Sequence, residues 1–264
     1  MRKALIALAT AGLLIGSIAA PAEAAVGVEV GGAVAKPGER SAAQLAGAQL
    51  DQVVNDASPV LPAGKNTVLR VTVRVTGAAH RAVTFALAEL SPSFGNHPAL
   101  FRDGRHGVDL TVPGDRDGSR TVRNVRTVSV AVSSAQPAAQ PVRVTAHGRS
   151  VTLPPALLAK LPRQTVTARF GSDAGTQTHQ ESGPPLALVL ALAGVLPKPD
   201  TPVVAVGADG YGAAVTLAEA WTGGRPLLLS TVEDGKPLAE PRLVPLSDVK
   251  GGRYVSRVTA LAVG

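Results

Sequence analysis

Apolar and polar positions alternate most clearly over residues 68–75, where Val-Leu-Arg-Val-Thr-Val-Arg-Val predicts a strand with one face turned to a core. Residues 26–30 alternate through Gly27 and Glu29 and predict an edge strand, closed by a turn at Lys36-Pro37-Gly38. Ser41 stands before Ala42-Ala43-Gln44-Leu45 as the N-cap of a short helix. Residues 84–89 predict a strand that runs on into a short helix. Residues 91–107 are rich in turn formers, and 108–112 and 125–132 predict strands on either side of the loop 113–120. Further along, 142–145, 150–153, 165–170, 203–206, 227–229 and 255–263 read as strands, and 155–160 as one or two helical turns. Residues 185–193 carry Leu186, Leu188, Val189, Leu190 and Leu192, which predicts a buried helix that Gly194 ends as its C-cap. The pattern as a whole is that of a mixed, strand-rich α+β fold.

One pattern occurs twice. Gly77-Ala78 and Leu87-Ala88-Glu89 return 130 positions later as Gly207-Ala208 and Leu217-Ala218-Glu219. Each is followed by an Asp, a small pair and an Arg before a valine-rich end: Asp115 to Arg120 in one case, Asp248 to Arg253 in the other. The period is too long for a solenoid, whose units run roughly 20–50 residues. It predicts two related units, 25–132 and 142–264. Between them, 133–141 is small, polar and punctuated by Pro137 and Pro141, as a linker would be. What both units keep is read as architecture.

Composition narrows the setting. Arg2 and Lys3, the apolar stretch 5–18 and Ala22-Glu23-Ala24 form a secretory signal peptide over 1–24. Its apolar core is shorter than the about 20 residues of a membrane span, so the expectation is a secreted protein without stable membrane insertion after cleavage. The 26 basic and 19 acidic residues lose two and one with the signal, leaving a net charge of about +6. The basic residues are scattered singly and aromatics are only 3% of the chain, which argues against nucleic acid as a partner. There is no cysteine, which excludes disulfides, thiol nucleophiles and thiolate metal sites.

The chemistry-bearing motifs are few. No pair of the five histidines has helical metal-site spacing, and no nucleophile elbow or phosphate-binding glycine loop is present. His97, Asp103 and His106 share one turn-rich loop and could meet at a metal, with a polar surface loop as the alternative. Asp115-Arg116-Asp117-Gly118 falls short of a calcium loop and reads as a polar turn.

The order of motifs in the second unit is more telling. It runs from Thr165-Val166-Thr167 through His179 and Gly183-Pro184-Pro185-Leu186 to Ala193-Gly194-Val195. It continues with Gly207-Ala208-Asp209-Gly210-Tyr211, Asp234-Gly235-Lys236-Pro237-Leu238, Arg242-Leu243-Val244 and Gly251-Gly252-Arg253-Tyr254-Val255. This order resembles the molybdopterin-binding domain of sulfite oxidase-like oxidoreductases, above all their small secreted bacterial relatives. The first unit matches in its later part and departs over 51–66, which is shorter and lacks the Gly-Pro-Pro-Leu helix.

The resemblance implies a site. Enzymes of that family hold molybdenum through the pterin dithiolene and one cysteine, whose position falls at about Arg169 here. It further implies His179, Arg253 and Arg257 as contacts to molybdopterin or an anion, with Arg120 and Arg123 as their counterparts in the first unit. Arginine cannot replace the soft thiolate that the metal requires. The expected function is therefore a non-redox binding or interaction module, its partner a small anionic or pterin-like ligand or another envelope protein. Two other readings stay open: an oxidoreductase that uses molybdopterin without a protein thiolate, and a structural cell-envelope protein.

Overall fold

The computed structural model describes residues 27–139 and 142–264; the expected signal peptide lies outside them. The first part of the chain forms β1 (Val28–Gly32), β2 (Gly38–Arg40), α1 (Ala42–Leu45), α2 (Leu50–Asp56), β3 (Val71–Thr76), β4 (Ala82–Ala86), α3 (Leu87–Leu90), β5 (Leu100–Gly104), β6 (Gly107–Thr111) and β7 (Thr127–Val132). The second forms β8 (Val142–Ala146), β9 (Arg149–Leu153), α4 (Pro155–Leu158), β10 (Gln164–Ser172), β11 (Gly175–Gly183) and α5 (Leu186–Leu192). It ends with β12 (Pro202–Gly207), β13 (Gly212–Thr216), α6 (Ala218–Trp221), β14 (Leu227–Glu233), β15 (Lys236–Pro245) and β16 (Val258–Val263). The fold is strand-rich α+β.

Two five-stranded sheets carry the architecture. Their strand orders are β2-β1-β7-β3-β4 and β9-β8-β16-β12-β13. Read in this direction, the two follow the same path, with a parallel pair inside each: β1 beside β7, and β8 beside β16. Registers agree as well. Val73 stands opposite Val130, and Val203 opposite Val263, 130 and 133 positions on. The hairpin β5–β6 stands alone as a two-stranded ribbon, whereas β14–β15 is extended by β10–β11 into a four-stranded sheet.

Alternation explains the core. Val71, Val73 and Val75 on β3 and Val128 and Val130 on β7 point inward with Val28 and Val30 of β1, around Phe85 and Phe101. The second core gathers Val142 and Val144, Val203 and Ala205, Leu227 and Leu229, and the α5 residues Leu186, Val189 and Leu190. The two sheets face each other through their outer strands β4 and β13. Residues 133–139 do not hang free. Ala135 and Ala138 pack on Ala86, Val204 and Ala260, and Ala138 N donates to Thr259 Oγ1 at 3.2 Å.

Local signals were obeyed where side chains act locally. Ser41 caps α1 through Gln44 N at 3.3 Å, and Gln44 Oε1 accepts from Ser41 N at 2.9 Å, a complete capping box. Ser41→Ala is expected to cost about 1 kcal/mol, read as a lowered urea midpoint with unchanged slope. Gly194, at φ +76°, ends α5, and Val195 N returns to Leu190 O at 3.0 Å. Gly77 and Gly207 are kept for space: a Cβ on either would run into the carbonyl of Arg123 or Ser256.

Three expectations are corrected. The strand over 26–30 is not an edge, because β1 is covered by β2 on one side and β7 on the other. The strand over 68–75 begins only at Val71; Thr67–Arg70 is a 3-10 turn, entered through Asn66 at φ 54°, and it buries Leu69 and Arg70 in succession. In α5, Leu188 faces outward at 37% exposure, so that helix is covered on one side only.

Candidate functional site

Immediately after β4 and β13 the chain turns into α3 and α6, which carry Glu89 and Glu219 inward. Each glutamate meets an arginine that an aspartate clamps. Arg120 Nη1 donates to Glu89 Oε1 at 2.6 Å, and its Nε and Nη2 donate to Asp115 at 2.8 and 2.5 Å. Arg253 Nη1 donates to Glu219 Oε2 at 2.8 Å, and its Nε and Nη2 donate to Asp248 at 2.8 and 2.5 Å. These bidentate forks match guanidinium to carboxylate in charge and shape. Arg253 is 0% exposed and Arg120 2%, with Arg120 also lying over the Phe85 ring at 5.2 Å.

A fourth group completes each cluster, and here the two differ. His97 Nε2 lies 2.9 Å from Asp115, while Arg225 Nη2 lies 3.2 Å from Asp248. Their backbones take the same place: His97 N donates to Glu89 O at 3.1 Å and Arg225 N to Glu219 O at 2.8 Å. The clusters are joined by reciprocal backbone bonds, Arg116 N to Thr222 O at 2.9 Å and Val249 N to Phe94 O at 2.7 Å.

Burial, and next the charge of Glu219, push Glu89 up to about 7. Burial also pushes Asp248 up. At Asp115 burial acts upward too, but the hydrogen bonds from Arg120 and His97 outweigh it and hold this carboxyl below its ordinary value. Both clusters are closed to solvent and their arginines are taken by carboxylates. They hold the molecule together and offer no group to a substrate.

The open chemistry lies beside them. A crevice of about 340 Å³ is lined by Lys65, Arg70, Ser134, Gln136, Asp209 and Tyr211, among others. Arg70 Nη1 donates to Ala135 O at 2.7 Å and Nη2 to Gly210 O. Tyr211 donates its hydroxyl to Gly252 O at 2.6 Å and accepts from Asn66 Nδ2 at 3.4 Å.

The residues singled out from sequence are dispersed. Arg253, expected to face a ligand, is corrected: it is wholly buried and committed to Asp248 and Glu219. Arg120 is buried in the same way. Arg169 is exposed on β10 next to Ala168, which stands opposite His179 on β11, so Arg169 and His179 point to opposite faces of that hairpin. His179 Nδ1 instead meets Asp234 at 2.9 Å. Arg257 is exposed and pairs with Glu240 at 3.3 Å, and Arg123 is exposed. His97 is drawn to Asp115, away from any joint site with Asp103 and His106. Among the described residues no group of three His, Asp or Glu could hold a metal ion. Asp115, expected in a polar turn, is a buried member of its cluster.

Sequence reasoning missed Arg70 and Lys65. The available signal was the internal comparison: 130 positions after Arg70 stands Asp200, a reversal of charge within the repeat.

No protein-family model matches the chain, and no curated protein does. Among solved structures it is similar to the sulfane dehydrogenase SoxCD of Paracoccus pantotrophus, at 19% identity and a TM-score of 0.40 over 66% of this chain and 48% of that one. The chain thus spans about half the length of that enzyme chain. So distant a likeness leaves the architecture to be read from the strands themselves.

Proposed function

We propose that the protein is a secreted binding module built from two copies of one molybdopterin-oxidoreductase-like unit, without redox chemistry of its own. The second copy is enlarged by the hairpin β10–β11. One observation carries the reading: Arg120 and Arg253, the arginines at matching places in the repeat, are consumed by internal carboxylates. They serve as keystones of the scaffold and leave no inward cradle for an anionic cofactor. The remaining residues do not fit the molybdenum group either. Cysteine is absent from the chain, and Arg169, at the place of the thiolate, is exposed on β10. The scaffold is thereby left to bind a small anionic ligand.

Metal and pterin analysis of protein purified from its native host tests this. The expected result is a colourless protein without molybdenum and without pterin fluorescence after denaturation. Stoichiometric molybdenum would overturn the reading in favour of an oxidoreductase.

A further inference from the structure

Arg70 is 7% exposed, yet among the described residues no carboxylate pairs with its charge. Its guanidinium is held by the carbonyls of Ala135 and Gly210, and burial alone lowers its pKa, with no acid partner to offset it. Carbonyl dipoles orient a cation without neutralising it, and a buried unpaired charge is costly. This cation forms part of the wall of the 340 Å³ crevice, a volume at the lower end of small-molecule sites. Exposed Lys65 adds a second positive charge to the lining and Asp209 subtracts one, which leaves a single net positive charge. Asp209 is turned to its own loop, accepting from Tyr211 N at 3.0 Å.

The molecule contains its own comparison. A smaller crevice of about 240 Å³ is lined by Arg81, Ser119, Arg120 and Asp200. By the repeat, Asp200 takes the place of Arg70 and Arg81 the place of Tyr211. Arg81 reaches the carbonyl of Ser119 as Tyr211 reaches that of Gly252. In the smaller crevice Arg120 is already taken by Asp115 and Glu89, and Arg81 shares its walls with the carboxylate of Asp200. In the larger one the corresponding positions carry a cation and a neutral phenol. The positive charge left over is a property of one crevice, not of the fold.

We propose that the larger crevice binds a small organic acid through a single carboxylate held between Arg70 and Lys65, with the carbon body against Pro62 and the Tyr211 ring. The assignment rests on the reading of the chain as a ligand-binding module without redox chemistry. It makes Asp209 the determinant of selectivity, because removing its charge leaves the crevice at two net positive charges and favours a dianion.

Calorimetric titration of the full chain with sodium lactate and with sodium sulfate, at ionic strength fixed by chloride, tests the site. Saturable lactate binding is expected. Lys65→Gln should weaken it roughly tenfold, Arg70→Met should abolish it, and Asp209→Asn should shift preference towards sulfate. If Arg70→Met does not fold, the two exposed positions still decide. Absence of saturable lactate binding, or lactate binding unchanged in Lys65→Gln and in any folded Arg70 variant, overturns the site. Sulfate bound by the unmodified protein as tightly as lactate overturns the single-charge class. Metal-free protein that fails these titrations leaves the non-redox reading intact, whereas molybdenum in the purified protein overturns that reading whatever lactate does.

Discussion

Arg253→Met is expected to destabilise the protein by about 3–5 kcal/mol, a large part of the 5–15 kcal/mol that typically separates folded from unfolded chains. The loss comes from what stays behind. Asp248 and Glu219 remain buried with only Arg225 as a countercharge, and Glu89 adds its field from the neighbouring cluster. Lysine does not rescue the site, because one ammonium cannot make the two-pronged contact to Asp248 and also reach Glu219. Arg120→Met provides the contrast. There Glu89 already gains a proton near neutrality, so acidification removes its charge. Urea denaturation at two pH values separates the cases. Arg120→Met should recover stability towards about pH 5, where Glu89 is protonated, and Arg253→Met should recover less, because it strands two buried carboxylates on a single remaining cation. Equal recovery in both variants would show that the two clusters are electrically equivalent.

The second large effect is a dependence on pH in which the Glu89 carboxyl, raised to about 7, is the leading group near neutrality. The folded protein holds a proton on Glu89 up to about pH 7, against a reference value of 4.5. A raised folded pKa means stability that is fully present below the unfolded value and lost as pH climbs through the folded one. The contribution of Glu89 is on the order of 3 kcal/mol across that window. Asp115 acts in the opposite sense: its lowered pKa gives stability at neutral pH that disappears in acid. Together they place the most stable condition on the acid side of neutrality. Glu89→Gln keeps an acceptor for Arg120 and cannot ionise. Its unfolding midpoint is expected to stay level between about pH 5 and pH 8 where that of the unmodified protein falls. A slope that survives the substitution would assign the proton to another group.

Much of this was visible in the chain, and the reasons differ by residue. Strand β3 was legible because valines facing a core leave a period-two trace, and β12 because a short continuous apolar run marks a strand buried on both faces. Ser41 was legible because an N-cap acts within four residues. Strand β11 was not, for Thr176, Gln177, Thr178 and Gln180 carry no apolar rhythm, and its place depends on nine pairings with β10. Strand β5 was hidden among turn formers in the same way. The repeated motif was read as architecture, yet Arg120 and Arg253 within it were expected to meet an anion, and their burial was missed because a lone arginine is ordinarily a surface residue. Arg253 can be buried only because it meets Asp248 and, 34 positions away, Glu219. Arg70 escaped notice for a further reason: alternation assigned it to a strand, and the 3-10 turn that buries it is set by Asn66.

The placement of β16 has a bearing on how the molecule comes to exist. It runs over Val258–Val263, yet it is the middle strand of its sheet, with β12 on one side and β8 on the other. Synthesis proceeds from the other end. The first sheet can close once Val132 has emerged, whereas β8, β9, β12 and β13 must wait, with a gap between β8 and β12, until Val258–Val263 has emerged. During that interval their backbone amides and carbonyls are open to any other extended segment, and a chain interrupted short of Val258 never closes the gap.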